Sequence, residues 1–105
     1  MDRITQLEEF LKEDPDDAFS AYALALEYLK SDQQRSHDLF STLLKKKPDY
    51  LPTYYPFAHL LIELQQPDKA ESIFKQGIDL ARRKNDSKTL KELTSAYNDW
   101  LFEQS

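Results

Sequence analysis

Asp14-Pro15-Asp16 recurs as Lys47-Pro48-Asp49, 33 residues further along the chain, and each tripeptide precedes a run of apolar residues at helical spacing. Proline cannot extend the helix before it and restricts the residue it follows, while the aspartate after it carries a carboxylate able to cap the free N–H groups of the next helix. Each tripeptide reads as a stop followed by a start. Outward from these two marks, every segment has apolar residues at a 3.6-residue period and none sustains a period of two, which makes the chain all-α.

Six helices are predicted, over about 2–13, 16–30, 33–46, 51–65, 68–83 and 87–103. The first presents one stripe, Ile4, Leu7, Phe10 and Leu11. The second (Phe19, Ala21, Tyr22, Leu24, Ala25, Leu26, Tyr28, Leu29) and the fourth (Tyr54, Tyr55, Phe57, Ala58, Leu60, Leu61, Ile62, Leu64) are apolar nearly all round. The third, through Leu39, Phe40, Leu43 and Leu44, and the fifth, through Ala70, Ile73, Phe74, Gly77, Ile78 and Ala81, are one-sided. Asn85-Asp86-Ser87 supplies turn and cap residues before a last helix bearing Leu90, Leu93, Tyr97, Trp100 and Leu101. A helix that is apolar on every side needs neighbours on several sides, so the alternation demands stacked helix pairs.

The 105 residues, 40% hydrophobic and 31% charged, have room for one domain. A single glycine, Gly77, excludes glycine-rich dinucleotide and phosphate loops, which need several. With no cysteine there is no disulfide, thiolate nucleophile or Cys-ligated metal, and the chain leans toward the cytoplasm. No apolar run approaches the roughly 18 residues of a membrane span, and the start, with Glu8 and Glu9, does not read as a signal peptide. The net charge of −5 is uneven, with nine acids against three bases up to Gln34. The basic clusters Lys45-Lys46-Lys47 and Arg82-Arg83-Lys84 sit at predicted helix ends, where cations relieve the unpaired carbonyls, and are too small a field for nucleic acid.

Aligned at the proline marks, the helices resemble the tetratricopeptide repeat, whose pattern is W-x2-L-G-x2-Y, then A-x3-F, then P over about 34 residues. One copy reads Ala21-x2-Leu24-Ala25-x2-Tyr28, Ser36-x3-Phe40, Pro48; the next reads Tyr54-x2-Phe57-Ala58-x2-Leu61, Ala70-x3-Phe74. Leu90-x2-Leu93-Thr94-x2-Tyr97 begins a third, and Leu7, Phe10, Leu11 and Pro15 align with Phe40, Leu43, Leu44 and Pro48 as the second half of an earlier one. The resemblance implies a short right-handed superhelix of antiparallel helix pairs: a half-repeat helix at 1–15, repeats at 16–50 and 51–85, and a capping helix at 86–105. Small residues at Ala25, Ala58, Ser36, Ala70 and Gly77 suit the close approach of paired helices.

Departures from the pattern carry their own expectations. Ala21 replaces a large aromatic, Leu24 to Leu26 is crowded, and the first inter-helix turn is one residue shorter than the second. Arg82 stands where proline is expected, so the fifth helix should run on through Arg83. Pro56 removes a hydrogen bond and crowds the carbonyl of Pro52, which predicts a kink or a frayed first turn in the fourth helix.

No enzyme signal is present. His37 and His59 lie on different helices without a carboxylate at ligand spacing, so no metal or other cofactor is expected. Asp16 and Asp17 fit a helix start better than acid–base work, and no serine stands in a tight nucleophile turn with a His–Asp constellation around it. Phe40, Phe57, Phe74, Tyr28, Tyr97 and Tyr54 are assigned to the core. Phe19, Tyr22, Leu26, Tyr55, His59 and Ile62 fall on the opposite side of their helices, which the resemblance makes a concave groove for a protein or peptide partner. The carboxylate clamp of the best-known relatives does not carry over, because Tyr22, Leu26 and Pro56 occupy its positions; Lys88 and Lys91 remain as candidate contacts to an anionic group. The alternative function is self-association, Leu7 with Leu11 or Trp100 with Phe102 docking on another copy.

Overall fold

A computed structural model describes residues 2–105. In order the chain forms α1 (Arg3–Glu13), α2 (Ala18–Tyr28), α3 (Gln33–Lys46), a 3₁₀ turn (Leu51–Thr53), α4 (Tyr54–Glu63), α5 (Pro67–Arg83) and α6 (Ser87–Gln104), with no strand among the described residues. It packs as two compact units, one ending at Thr53 and the other running Tyr54–Ser105.

Three helices start on the same device. The carboxylates of Asp2, Asp32 and Asp86 accept the N–H groups of Thr5, Arg35 and Thr89 at 2.8, 3.1 and 3.0 Å, satisfying donors that have no partner inside the helix. The Pro-Asp marks act differently from the capping role expected of them. Asp14 accepts the N–H of Asp16 at 3.2 Å in a tight turn, α2 begins two residues later than expected, and the N-cap position falls to Asp17, whose carboxylate is taken by the Ser20 hydroxyl at 2.6 Å. Asp49 lies in a turn closed by the Tyr50 N–H on the Lys47 carbonyl at 3.0 Å. The 3₁₀ turn follows it, so the expected helix over 51–65 begins as α-helix only at Tyr54. Pro56 thus stands in the first α-helical turn, where an N–H has no intrahelical acceptor to lose; in place of the expected kink or frayed turn, an ordered 3₁₀ turn with Leu51 and Thr53 buried precedes the helix.

α2 ends at Tyr28, whose carbonyl accepts from Ser31 and Asp32. α4 ends in a different way: Gln65 takes the left-handed conformation at φ 59° while the Gln66 N–H bonds the Leu61 carbonyl at 2.9 Å. α5 does run on through Arg83, with Asn85 at φ 58° beyond it.

In the first unit Leu7, Ala23 and Leu24 are buried, with Ile4, Leu11, Tyr28 and Leu39 packed around them. Leu7, at 1% exposure, is therefore core and cannot form the docking face assigned to it with Leu11. The small residues let α2 and α3 close to hydrogen-bonding range: the fully buried Ser36 hydroxyl donates to the Ala25 carbonyl at 2.7 Å. A clasp ties all three helices, in which Arg35 lies 5.1 Å over the Tyr28 ring and donates to Glu8 at 3.2 Å.

In the second unit Ala58, Ala70 and Phe74 have no exposure, and Tyr54, Phe57, Leu60 and Leu61 are buried around them. At Gly77 the helices α4, α5 and α6 meet closely. A methyl group there would lie 2.7 Å from Cβ of Tyr54 and 3.1 Å from Cδ1 of Leu93. Close packing thus compensates for the roughly 1 kcal/mol that glycine gives up to alanine inside a helix.

Candidate partner-binding surfaces

The second unit carries a connected set of rings. Tyr55 and His59, one turn apart on α4, have ring centroids 4.6 Å apart, and both are exposed. His59 meets the buried Phe74 edge-on at 6.1 Å, Phe74 lies 5.5 Å from Tyr97 and 5.8 Å from Trp100, and the last two are 6.3 Å apart. The Tyr97 hydroxyl donates to Glu71 at 2.8 Å, which fixes the ring. Burial, with the Glu71 carboxylate second, holds that phenol above its ordinary pKa. Ile62 lies half-buried on α4. The arrangement offers an aromatic surface with one edge in solvent and the other locked into the core, a stiff platform with few rotors to order on contact.

In the first unit Phe19 is 56% exposed on α2 and Leu26 is half-buried. Tyr22 is engaged, its ring meeting Tyr50 edge-on at 6.0 Å. Tyr50 is itself partly buried, and that burial, followed by Tyr22 and Asp17, raises its pKa. Beside this lies an open pocket of about 160 Å³, floored by Leu11, Ala18, Ala21, Leu39 and Leu43 and rimmed by Asp16, Asp17, Lys46 and Lys47.

Lys88 and Lys91 are exposed on α6. Lys91 borders a shallow groove of about 360 Å³ with Arg82, Ser87, Leu90, Thr94 and Ser95, none of which belongs to the ring set. Two residues of the ring contacts were not among the expected groove residues. Tyr50 sits between the proline mark and the 3₁₀ turn, where no helical period applies, and Trp100 was assigned with Phe102 to an end face, whereas its ring packs on Phe74 and Tyr97. Among the described residues no three His, Asp or Glu side chains converge as a metal site, and no helix is long and apolar enough to cross a membrane.

Helix hairpins closed over Ala, Ser and Gly, recurring at a fixed step with stop signals between them, define a helical-repeat protein. No family model and no curated protein matches the chain. Solved structures do. The solution structure of a tetratricopeptide repeat domain protein from Salinibacter ruber is 41% identical, covering 82% of this chain and 88% of that one with a TM-score of 0.77. A crystal structure of a tetratricopeptide repeat domain protein from the same organism is 40% identical over 79% of this chain and 93% of that one, with a TM-score of 0.75. The chain belongs to the tetratricopeptide repeat family.

Proposed function

We propose that this protein is an interaction module that holds a peptide or a segment of a partner protein against the ring-bearing faces of its repeats. The observation that carries the reading is the pair Tyr55 and His59 in the second unit, two exposed rings in contact with each other and, through His59, with the buried Phe74, on which the half-buried Trp100 also packs. Phe19, Tyr22 and Leu26 form the corresponding face of the first unit, and Ile62 extends that of the second. Lys88 and Lys91 supply contacts to an anionic group. Repeats of this family present their first helices to ligands, and Phe19 and Tyr22 lie on α2, Tyr55 and His59 on α4, and Lys88 and Lys91 on α6, which begins a third copy. Burying about 600 Å² of apolar surface at roughly 25 cal/mol/Å² gives a gross 15 kcal/mol, most of it offset by association and ordering, so micromolar affinity is expected.

The test is affinity capture from a lysate with the native chain and with a Tyr22→Ala/Tyr55→Ala variant, folding being verified by circular dichroism. Loss of the captured partners supports the reading, and unchanged capture by a folded double variant defeats it.

A further inference from the structure

We infer that α1 of one copy docks in the α6 groove of a second copy, so that the protein associates head to tail through faces distinct from the ring platform. The two faces are complementary in shape. On α1, Gln6, Glu9, Phe10 and Glu13 recur at helical spacing along one flank, with Phe10 at the solvent edge of the stripe that buries Leu7, and all four are exposed. Phe10, 44% exposed, is thus a lone aromatic knob set between carboxylates. On α6, the shallow groove of about 360 Å³ has Leu90 and Thr94 as its apolar strip and Arg82 and Lys91 at its edges.

The charges are complementary as well. Residues up to Asp17 hold seven acids and two bases, whereas residues 82–91 hold five bases and one acid. None of Glu9, Glu13, Arg82 and Lys91 forms an ion pair among the described residues, so these charges are available to a partner. Seating Phe10 against Leu90 brings the acidic stripe of α1 to the basic edges of the groove. Internal equivalence gives the same register. Phe10 aligns with Gly77, and Leu90 with Tyr54, the two residues that pack together in the second unit. The large side chain would come from α1 in this copy of the contact, where it comes from α4 in the other. An interface of one helix on one groove is small, and the association is expected to be weak and salt-dependent.

Sedimentation of the full chain across a wide concentration range, at low and at raised salt, tests this. The expected result is concentration-dependent association that falls as salt rises, weakens at least ~10-fold in Phe10→Ala, and is lost in Glu9→Lys/Glu13→Lys and in Arg82→Glu/Lys91→Glu. All of these positions are exposed, and thermal unfolding checks that each variant is folded. Mixing the two charge-reversed variants restores complementary faces, so the mixture should associate although neither variant does alone. A native chain that stays monomeric at the highest concentration and lowest salt overturns the inference. So does association that is indifferent to Phe10→Ala, or a mixture that fails to assemble.

Discussion

The two repeats solve one packing problem with the sizes exchanged. At the step where the second unit sets Tyr54 of α4 over Gly77 of α5, the first unit sets Ala21 of α2 near Leu43 of α3. Large over small in one becomes small over large in the other. The exchange is not perfect: Ala21 and Leu43 leave an open pocket of about 160 Å³, whereas the Tyr54–Gly77 contact has no room for a methyl group. Helix pairing in this chain therefore depends on the summed volume at each crossing rather than on the residue at each position, as expected for interiors packed to crystal density.

The sharpest way to break that relation is Gly77→Leu, which gives the second unit the large residue of the first without removing Tyr54. It should destabilise by about 3 kcal/mol, read by urea unfolding, because the added atoms meet Cβ of Tyr54 rather than a flexible tip. Gly77→Ala should still cost about 1 kcal/mol although alanine is the better helix former. The first unit relies on a hydrogen bond where the second relies on contact: Ser36→Ala removes the bond to the Ala25 carbonyl and should cost slightly under 1 kcal/mol. The turns differ too, and Gln65→Gly should stabilise by roughly 0.5 kcal/mol by relieving a left-handed residue that the first unit's turn lacks.

The smallest effect is on the alkaline side. Tyr97 and Tyr50 are both held above the ordinary phenol range, so the folded chain keeps these protons longer than the unfolded one. Their contribution is full below about pH 10 and is lost as pH climbs through the folded values. Ultraviolet titration, with Tyr50→Phe and Tyr97→Phe to assign the signals, should show these two phenols ionising above the ordinary range, and Glu71→Gln should bring Tyr97 earlier.

What the sequence made legible was whatever has a period. Apolar stripes placed all six helices, and the spaced Ala25, Ser36, Ala58, Ala70 and Gly77 located the crossings. The proline marks were legible as boundaries but not in detail: which aspartate sits at the helix start depends on how the chain turns through Asp14–Asp17, and nothing periodic records that. Leu7 looked like part of an open end face because α1 alone does not show that α2 covers it with Ala23 and Leu24. The candidate surfaces were half legible. Phe19, Tyr55 and His59 stand in solvent as their side of the helix implied. The engagement of Tyr22 by Tyr50, and of Trp100 with Phe74, depends on tertiary contacts with no signature in either segment.

The exchange of sizes is tested most directly by a double-mutant cycle of Tyr54→Ala and Gly77→Leu, which rebuilds the first unit's pairing inside the second. Each single change should cost about 3 kcal/mol, one by opening a cavity and the other by overfilling it. The double variant should recover at least ~2 kcal/mol of the sum. Costs that simply add, to within about 0.5 kcal/mol, would show that the two positions do not share one volume and would contradict the account.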